Sequence, residues 1–62
     1  MNLVKGKKYY VLQKGTEKEA IIFIGIFIGK KDDKLYFLQE QSKTIVSFND
    51  HTHLFFNFIS RL

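Results

Sequence analysis

The sequence predicts a small all-β fold, a compact five-stranded barrel formed as one domain by residues 1–62. Three observations lead to this class. Apolar runs recur about every ten residues along the chain, and polar turn-forming clusters separate them. One run has apolar residues at both its even and its odd positions, as expected for a strand that is buried on both faces. β-Branched and aromatic residues, which favour strands, dominate the runs.

A high aromatic content offsets the short length of the chain. A domain of 62 residues buries only about 60% of the surface that its unfolded chain exposes. Aromatic residues make up 16% of the sequence, with seven Phe and three Tyr, and each ring buries a large area. The chain has no Cys, so no disulfide or Cys-based zinc site can stabilise it. The apolar core must therefore do so alone.

The first two predicted strands are residues 8–13, after a turn at Gly6, and residues 19–29. The second is the most informative segment, because Ile occupies most of its even positions while Phe and Gly alternate at the odd ones. Glycine inside a strand commonly marks a bend, a bulge or a close backbone approach. We therefore expect a long central strand that bends near Gly25 and contributes to two layers of the barrel.

The remaining elements follow from turn residues and alternation. A turn at residues 30–34, with Asp in its centre, leads to a third strand at 35–41, and a fourth follows at 44–48. Residues 54–62 fit two templates. A fifth strand is favoured by the low helix propensity of Phe, Ile and Asn. A short helix with an apolar stripe and Thr52 as its N-cap is the alternative.

Five short strands with one long bent strand resemble the pattern of SH3-like barrels, and the N-terminal KGKKYYVL, a Gly turn that leads into a strand, has the general look of such domains. An Sm-like barrel is the nearest rival. The chain shows neither the N-terminal helix nor the paired signature sequences of that class.

Catalysis, cofactors and metals are not predicted. The Ser residues lack a Gly-flanked nucleophile context. Asp32 and Asp33 are neighbours on a predicted turn, so they cannot face each other across a cleft as an acid/base pair does. His51 and His53, which Asp50 could join, form the one metal-like cluster, and the rest of the sequence does not supply the further ligands of a site that normally has three or four. We therefore expect a non-enzymatic binding module.

The chain is also predicted to be cytoplasmic, without a membrane partner. Its longest apolar run, residues 20–28, has nine residues, whereas a bilayer-spanning helix needs about 20. The run lies in the middle of the chain, which is not the position of a signal peptide.

Nucleic-acid binding, to DNA or RNA, is the first function that the sequence suggests. Ten Lys and Arg residues against six Asp and Glu give a net charge of +4. Lys and Tyr interleave in the first strand and in the central hairpin, where Tyr rings can stack on bases and Lys can contact phosphates. The candidate binding residues are Lys7, Lys8, Tyr10, Lys30, Lys31, Lys34 and Tyr36.

A protein partner is the alternative, as for a small effector or inhibitor of the kind that mobile elements encode. Phe55, Phe56 and Phe58 cannot all face one small core if they belong to a strand. One side of that strand then needs a cover, which a loop, a partner protein or a second copy in a homodimer could provide.

Overall fold

The computed structural model describes residues 3–15 and 21–58, and all its secondary structure is antiparallel strand. The prediction of an all-β fold is confirmed. The start of the predicted second strand, at residues 19 and 20, lies outside the described residues. The five strands form one sheet in the order β4-β3-β2-β1-β5. They are β1 (Lys8–Gln13), β2 (Ile21–Lys31), β3 (Lys34–Gln39), β4 (Thr44–Asn49) and β5 (His53–Asn57).

The central hairpin is longer than predicted. Strand β2 continues to Lys31, which pairs with Lys34, so the turn contains only Asp32 and Asp33. Asp32 has a φ of 56°, a left-handed conformation that Asp tolerates better than most residues. A two-residue connection keeps the two strands paired to their ends.

Strand β2 is central, as predicted, but its irregularities do not lie at Gly25. The ladder between β1 and β2 is regular from Lys8 to Val11, a stretch that includes the partner of Gly25. In the β1–β2 ladder, the register shifts between Val11 and Leu12, so Ile22 is an extra residue on β2. In the β2–β3 ladder, a second shift lies between Phe27 and Gly29. Bulges increase local bending and twist, so the strand bends on both sides of Gly25.

One face of the sheet carries the core and is called the inner face here. Its buried side chains come from four strands, and aromatic rings dominate it. The ring of Phe37 is fully buried and lies 5.5 Å from those of Phe27 and Phe55, measured between centroids. Leu3, Phe23 and Phe48 pack around the margin. The buried cluster consists of Tyr9, Val11, Phe27, Leu35, Phe37 and Phe55.

The sheet is strongly curled around this core. Strands β3 and β5 are three positions apart in the sheet order, which corresponds to about 14 Å in a flat sheet. Yet the rings of Phe37 and Phe55, one from each strand, stack at 5.5 Å with planes 12° apart. Strands β4 and β5 lie at opposite edges and are joined by residues 50–52 alone. The curl therefore brings the two edges toward each other at this turn.

The curled sheet does not close. Among the strands formed by residues 3–15 and 21–58, β4 pairs only with β3, and β5 pairs only with β1. The closed barrel that the sequence predicted is therefore not confirmed, and the architecture is an open five-stranded sheet. The predicted fifth strand forms at His53–Asn57, where the helical alternative is wrong. Residues 59–62 of that predicted element lie outside the described residues.

Candidate interaction surface

The second face of the sheet, called the outer face here, is apolar as well. Alternation places on it the residues that neighbour the core positions in each strand. The ladders then join them across strands, because Tyr10 lies opposite both Ile24 and Phe56, and Ile26 lies opposite both Lys8 and Leu38. Side chains directly opposite one another are in contact range. The outer face is thus a continuous surface that spans several strands.

Large apolar side chains on this face are open to solvent. The exposed fractions are 49% for Phe56, 48% for Ile22 and 40% for Ile24. Phe58 is also exposed, and its ring lies 5.1 Å from that of Tyr10. Single exposed apolar residues are ordinary on protein surfaces, whereas contiguous ones mark interaction sites. We call these five residues, Tyr10, Ile22, Ile24, Phe56 and Phe58, the apolar patch.

A charge pair lies beside the apolar patch. The Nζ atom of Lys8 is 2.7 Å from Oε1 of Glu40, and it also lies 4.9 Å from the centre of the Phe58 ring. Both side chains of the ion pair are partly exposed. The cation therefore has two favourable contacts within the chain, a carboxylate and an aromatic face.

A groove lies between the first residues of β2 and residues 39–41, beyond the last β2–β3 pair, and its lining includes Phe23 as well as residues of the outer face. Its volume is about 450 Å³, and Ile21, Ile22 and Ile24 form one wall. Phe58, Lys8 and Glu40 contribute to the rest of the lining. The groove combines apolar side chains with one compensated charge pair and the amide groups of Gln39 and Gln41, and its apolar part is suited to an apolar side chain of a binding partner.

The predicted nucleic-acid residues lie in four different places. Lys8 and Tyr10 lie within the apolar patch region, and Lys8 is paired with Glu40. Lys30 lies opposite the buried Leu35, on the inner side of the hairpin, where its Nζ is 3.4 Å from Oδ2 of Asp50. Lys7 is exposed and precedes β1. The remaining three residues, Lys31, Lys34 and Tyr36, are at the hairpin end.

At the hairpin end, Lys31 and Lys34 are direct cross-strand partners on the outer side, and Tyr36 follows on the same face of β3. Neither lysine forms an ion pair with any residue from 3 to 15 or from 21 to 58. Lys8 pairs with Ile26 of β2, and Lys31 lies five residues further along that strand. Lys31 is therefore roughly 15 Å from the position of Lys8. The outer face thus brings together five of the seven predicted residues, but in two separate places.

The exposed apolar residues of β2 differ from the sequence prediction, in which this strand contributes to both layers of a barrel. Ile22 and Ile24 are exposed instead, because the buried cluster around Phe37 lies on the other face. The surplus of rings in residues 55–58 did indicate an uncovered side, and Phe56 and Phe58 are exposed as that argument required.

His51 and His53, the candidate metal ligands, have other contacts in the structure. Within the described ranges, no three residues of His, Cys, Asp or Glu come together as a metal-binding group. His53 instead packs its ring 5.0 Å from that of Phe48, and His51 lies 3.6 Å from a carboxylate oxygen of Asp33. The same part of the chain contains no helix of the length and apolar character needed to cross a membrane.

Comparison of the chain with protein-family models, with curated proteins and with solved structures finds no match.

Proposed function

We propose that this protein is a non-enzymatic binding module that docks onto a protein surface through its apolar patch. The observation that carries the proposal is the exposure of Ile22, Ile24 and Phe56 on one face of a sheet whose other face already holds the core. Aliphatic and aromatic side chains bind by burying area, and they offer no group for proton transfer or nucleophilic attack. The curl of the sheet and the short β4–β5 connection support an SH3-like architecture with a gap between these edges.

The centre and margin of this surface have the composition of a protein-binding site. Protein interfaces are depleted of charge at their centre and enriched in aromatic residues, and polar groups surround them. Here Phe56, Tyr10 and Ile24 form a row across three strands. The one charge pair beside them, Lys8 with Glu40, is compensated.

A photo-crosslinking amino acid at Ile24 tests this function. We expect it to form a covalent product with a polypeptide in extracts of the native host, because Ile24 is a solvent-exposed member of the apolar patch. The product is detected as a mass shift and identified by mass spectrometry. The matched control carries the same amino acid at Lys14, which is exposed in the turn after β1. Absence of any product from Ile24, or equal products from both positions, would contradict the proposal.

Nucleic-acid binding at the hairpin end is a second candidate, favoured by one specific observation. Lys31 and Lys34 lie directly opposite each other, an arrangement of like charges that destabilises a strand pair. A phosphate between the two ammonium groups would remove this repulsion, and the adjacent Tyr36 could stack on a base.

We expect the double variant Lys31→Glu/Lys34→Glu to weaken nucleic-acid binding and to reduce its salt dependence. Each phosphate contact contributes about −0.9 to the log–log salt slope on duplex DNA and about −0.7 on single strands. Fluorescence titration of labelled duplex and single-stranded oligonucleotides measures both quantities. Lys14→Glu is the charge-matched control away from the hairpin. No binding by the wild type at low salt, or equal losses in both variants, would eliminate this candidate.

A further inference from the structure

We infer that the partner of the apolar patch is a second copy of this chain, so that the protein forms a symmetric dimer through its outer faces. This inference rests on the proposed function and names the partner. The sheet of this protein is a single layer. A sheet that is apolar on both faces is stable in water when a second layer covers the open face. The described strands all belong to one sheet, so they supply no second layer.

The apolar patch combines an exposed ring, Phe56, with a groove on the same sheet. Phe56 is about half exposed and lies in the row next to Tyr10, whereas the groove begins at Ile24 on the other side of that row. In an interface with two-fold symmetry, a projection and a recess on the same face meet each other twice. We therefore place the Phe56 ring of each copy in the groove of the other. The groove volume of about 450 Å³ is ample for a phenyl ring.

The charges of the face are self-complementary. Each copy contributes one cation, Lys8, and one anion, Glu40, separated by 2.7 Å. Two-fold symmetry brings Lys8 of one copy near Glu40 of the other, so the four charges alternate in sign. Although the whole chain carries +4, the contacting region is neutral, and charge elsewhere on the surface is screened at physiological salt.

The available area fits a reversible dimer. The exposed parts of Ile21, Ile22, Ile24, Phe56 and Phe58 amount to roughly 450 Å² per copy, so two copies would bury about 900 Å² in total. Specific interfaces of this small size are weak and transient. We therefore expect association that depends on concentration within the range accessible to purified protein.

Sedimentation equilibrium of the purified chain tests the inference. We expect the average mass to rise from monomer toward dimer between roughly 10 µM and 1 mM. Phe56→Asp and Ile24→Asp should each keep the chain monomeric across that range. Val4→Asp is the matched control, because Val4 is 52% exposed in the segment before β1 and lies outside the strands that form the outer face. Circular dichroism of each variant confirms that it is folded, and Phe56→Ser replaces Phe56→Asp if the latter is not.

Charge-reversal variants of Lys8 and Glu40 test whether these two side chains meet across the dimer interface. Lys8→Glu and Glu40→Lys should each weaken the dimer by at least tenfold, since each puts four like charges at the interface. An equimolar mixture of the two variants should form heterodimers, in which opposite charges again meet across the two-fold axis. Native mass spectrometry resolves the species when one variant carries an isotope label.

The outcomes separate this inference from the function on which it rests. A wild-type chain that stays monomeric at 1 mM, or a mixture of charge variants without heterodimers, overturns the second copy as partner. If Ile24 then crosslinks to a different polypeptide, the proposed function stands and only the inference fails. If Val4→Asp dissociates the dimer as strongly as Phe56→Asp, the association is not specific to the apolar patch and the inference also fails.

Discussion

Phe37→Ala is expected to unfold the protein at 25 °C. The Phe37 side chain is fully buried on the inner face, and its ring contacts those of Tyr9, Phe23, Phe27, Phe48 and Phe55. Truncation of such a ring costs about 3–5 kcal/mol, because it removes buried apolar area and leaves a cavity. A single core in a chain of fewer than about 70 residues rarely supplies more than 3–5 kcal/mol in total. The loss should therefore equal or exceed the whole free energy of unfolding.

Urea denaturation followed by circular dichroism measures this effect, and Phe56→Ala is its matched control. The control removes the same ring from a position that is 49% exposed on the outer face. We expect it to change the unfolding free energy of the monomer by less than about 1 kcal/mol. A folded Phe37→Ala variant with a cooperative urea transition close to that of the wild type would show that the core is not centred on this ring.

Gly25→Ala is expected to destabilise the protein by about 1–3 kcal/mol, and Gly25→Val by more. A Cβ atom at Gly25 would lie 2.5 Å from Cε1 of Phe23 and 2.9 Å from the carbonyl oxygen of Leu38. The ring of Phe23 has little room to move, since it packs against those of Phe37 and Phe48. The oxygen of Leu38 belongs to the neighbouring strand, so relief of the second contact must shift the β2–β3 ladder.

The midpoint and slope of urea transitions test the Gly25 prediction. Ser47→Ala serves as the control, because it adds no atoms at an exposed position in the middle of β4. Its transition should match that of the wild type. If Gly25→Ala also unfolds at the wild-type urea concentration, then the inner face near Phe23 has space for a methyl group, and the close packing described above is incorrect.

Much of the fold could be predicted from local features of the sequence. Strand β1 begins and ends where expected, and β4 does so within one residue, because alternation and turn residues act over a few positions. The central place of β2 also followed from its apolar character on both faces. The bend was predicted at Gly25, whereas bulges lie on either side of it. Gly25 is required because a larger side chain would collide with the ring of Phe23 and with the carbonyl oxygen of Leu38 on β3. The contact with β3 cannot be predicted from the residue pattern of one strand.

The candidate site could be predicted only in part. Tyr36, Lys31 and Lys34 share the outer side because they occupy one hairpin, whose register follows from its short turn. Lys8 and Lys30 were assigned to the same surface, yet each is paired with a carboxylate distant in sequence, Glu40 and Asp50 respectively. Such pairs arise only when strands from different parts of the chain come together.

The sequence by itself determined that this protein is a small β domain with more apolar surface than one core can bury. It did not determine which face of β2 would become the core, because Ile on one side and Phe on the other are both suited to burial. The tertiary structure decided this. Phe37 and Phe55 come from other strands and meet Phe27 on one face, and the curled sheet encloses these rings. The Ile side of the strand is left on the outer face, since one sheet can curl around only one of its faces.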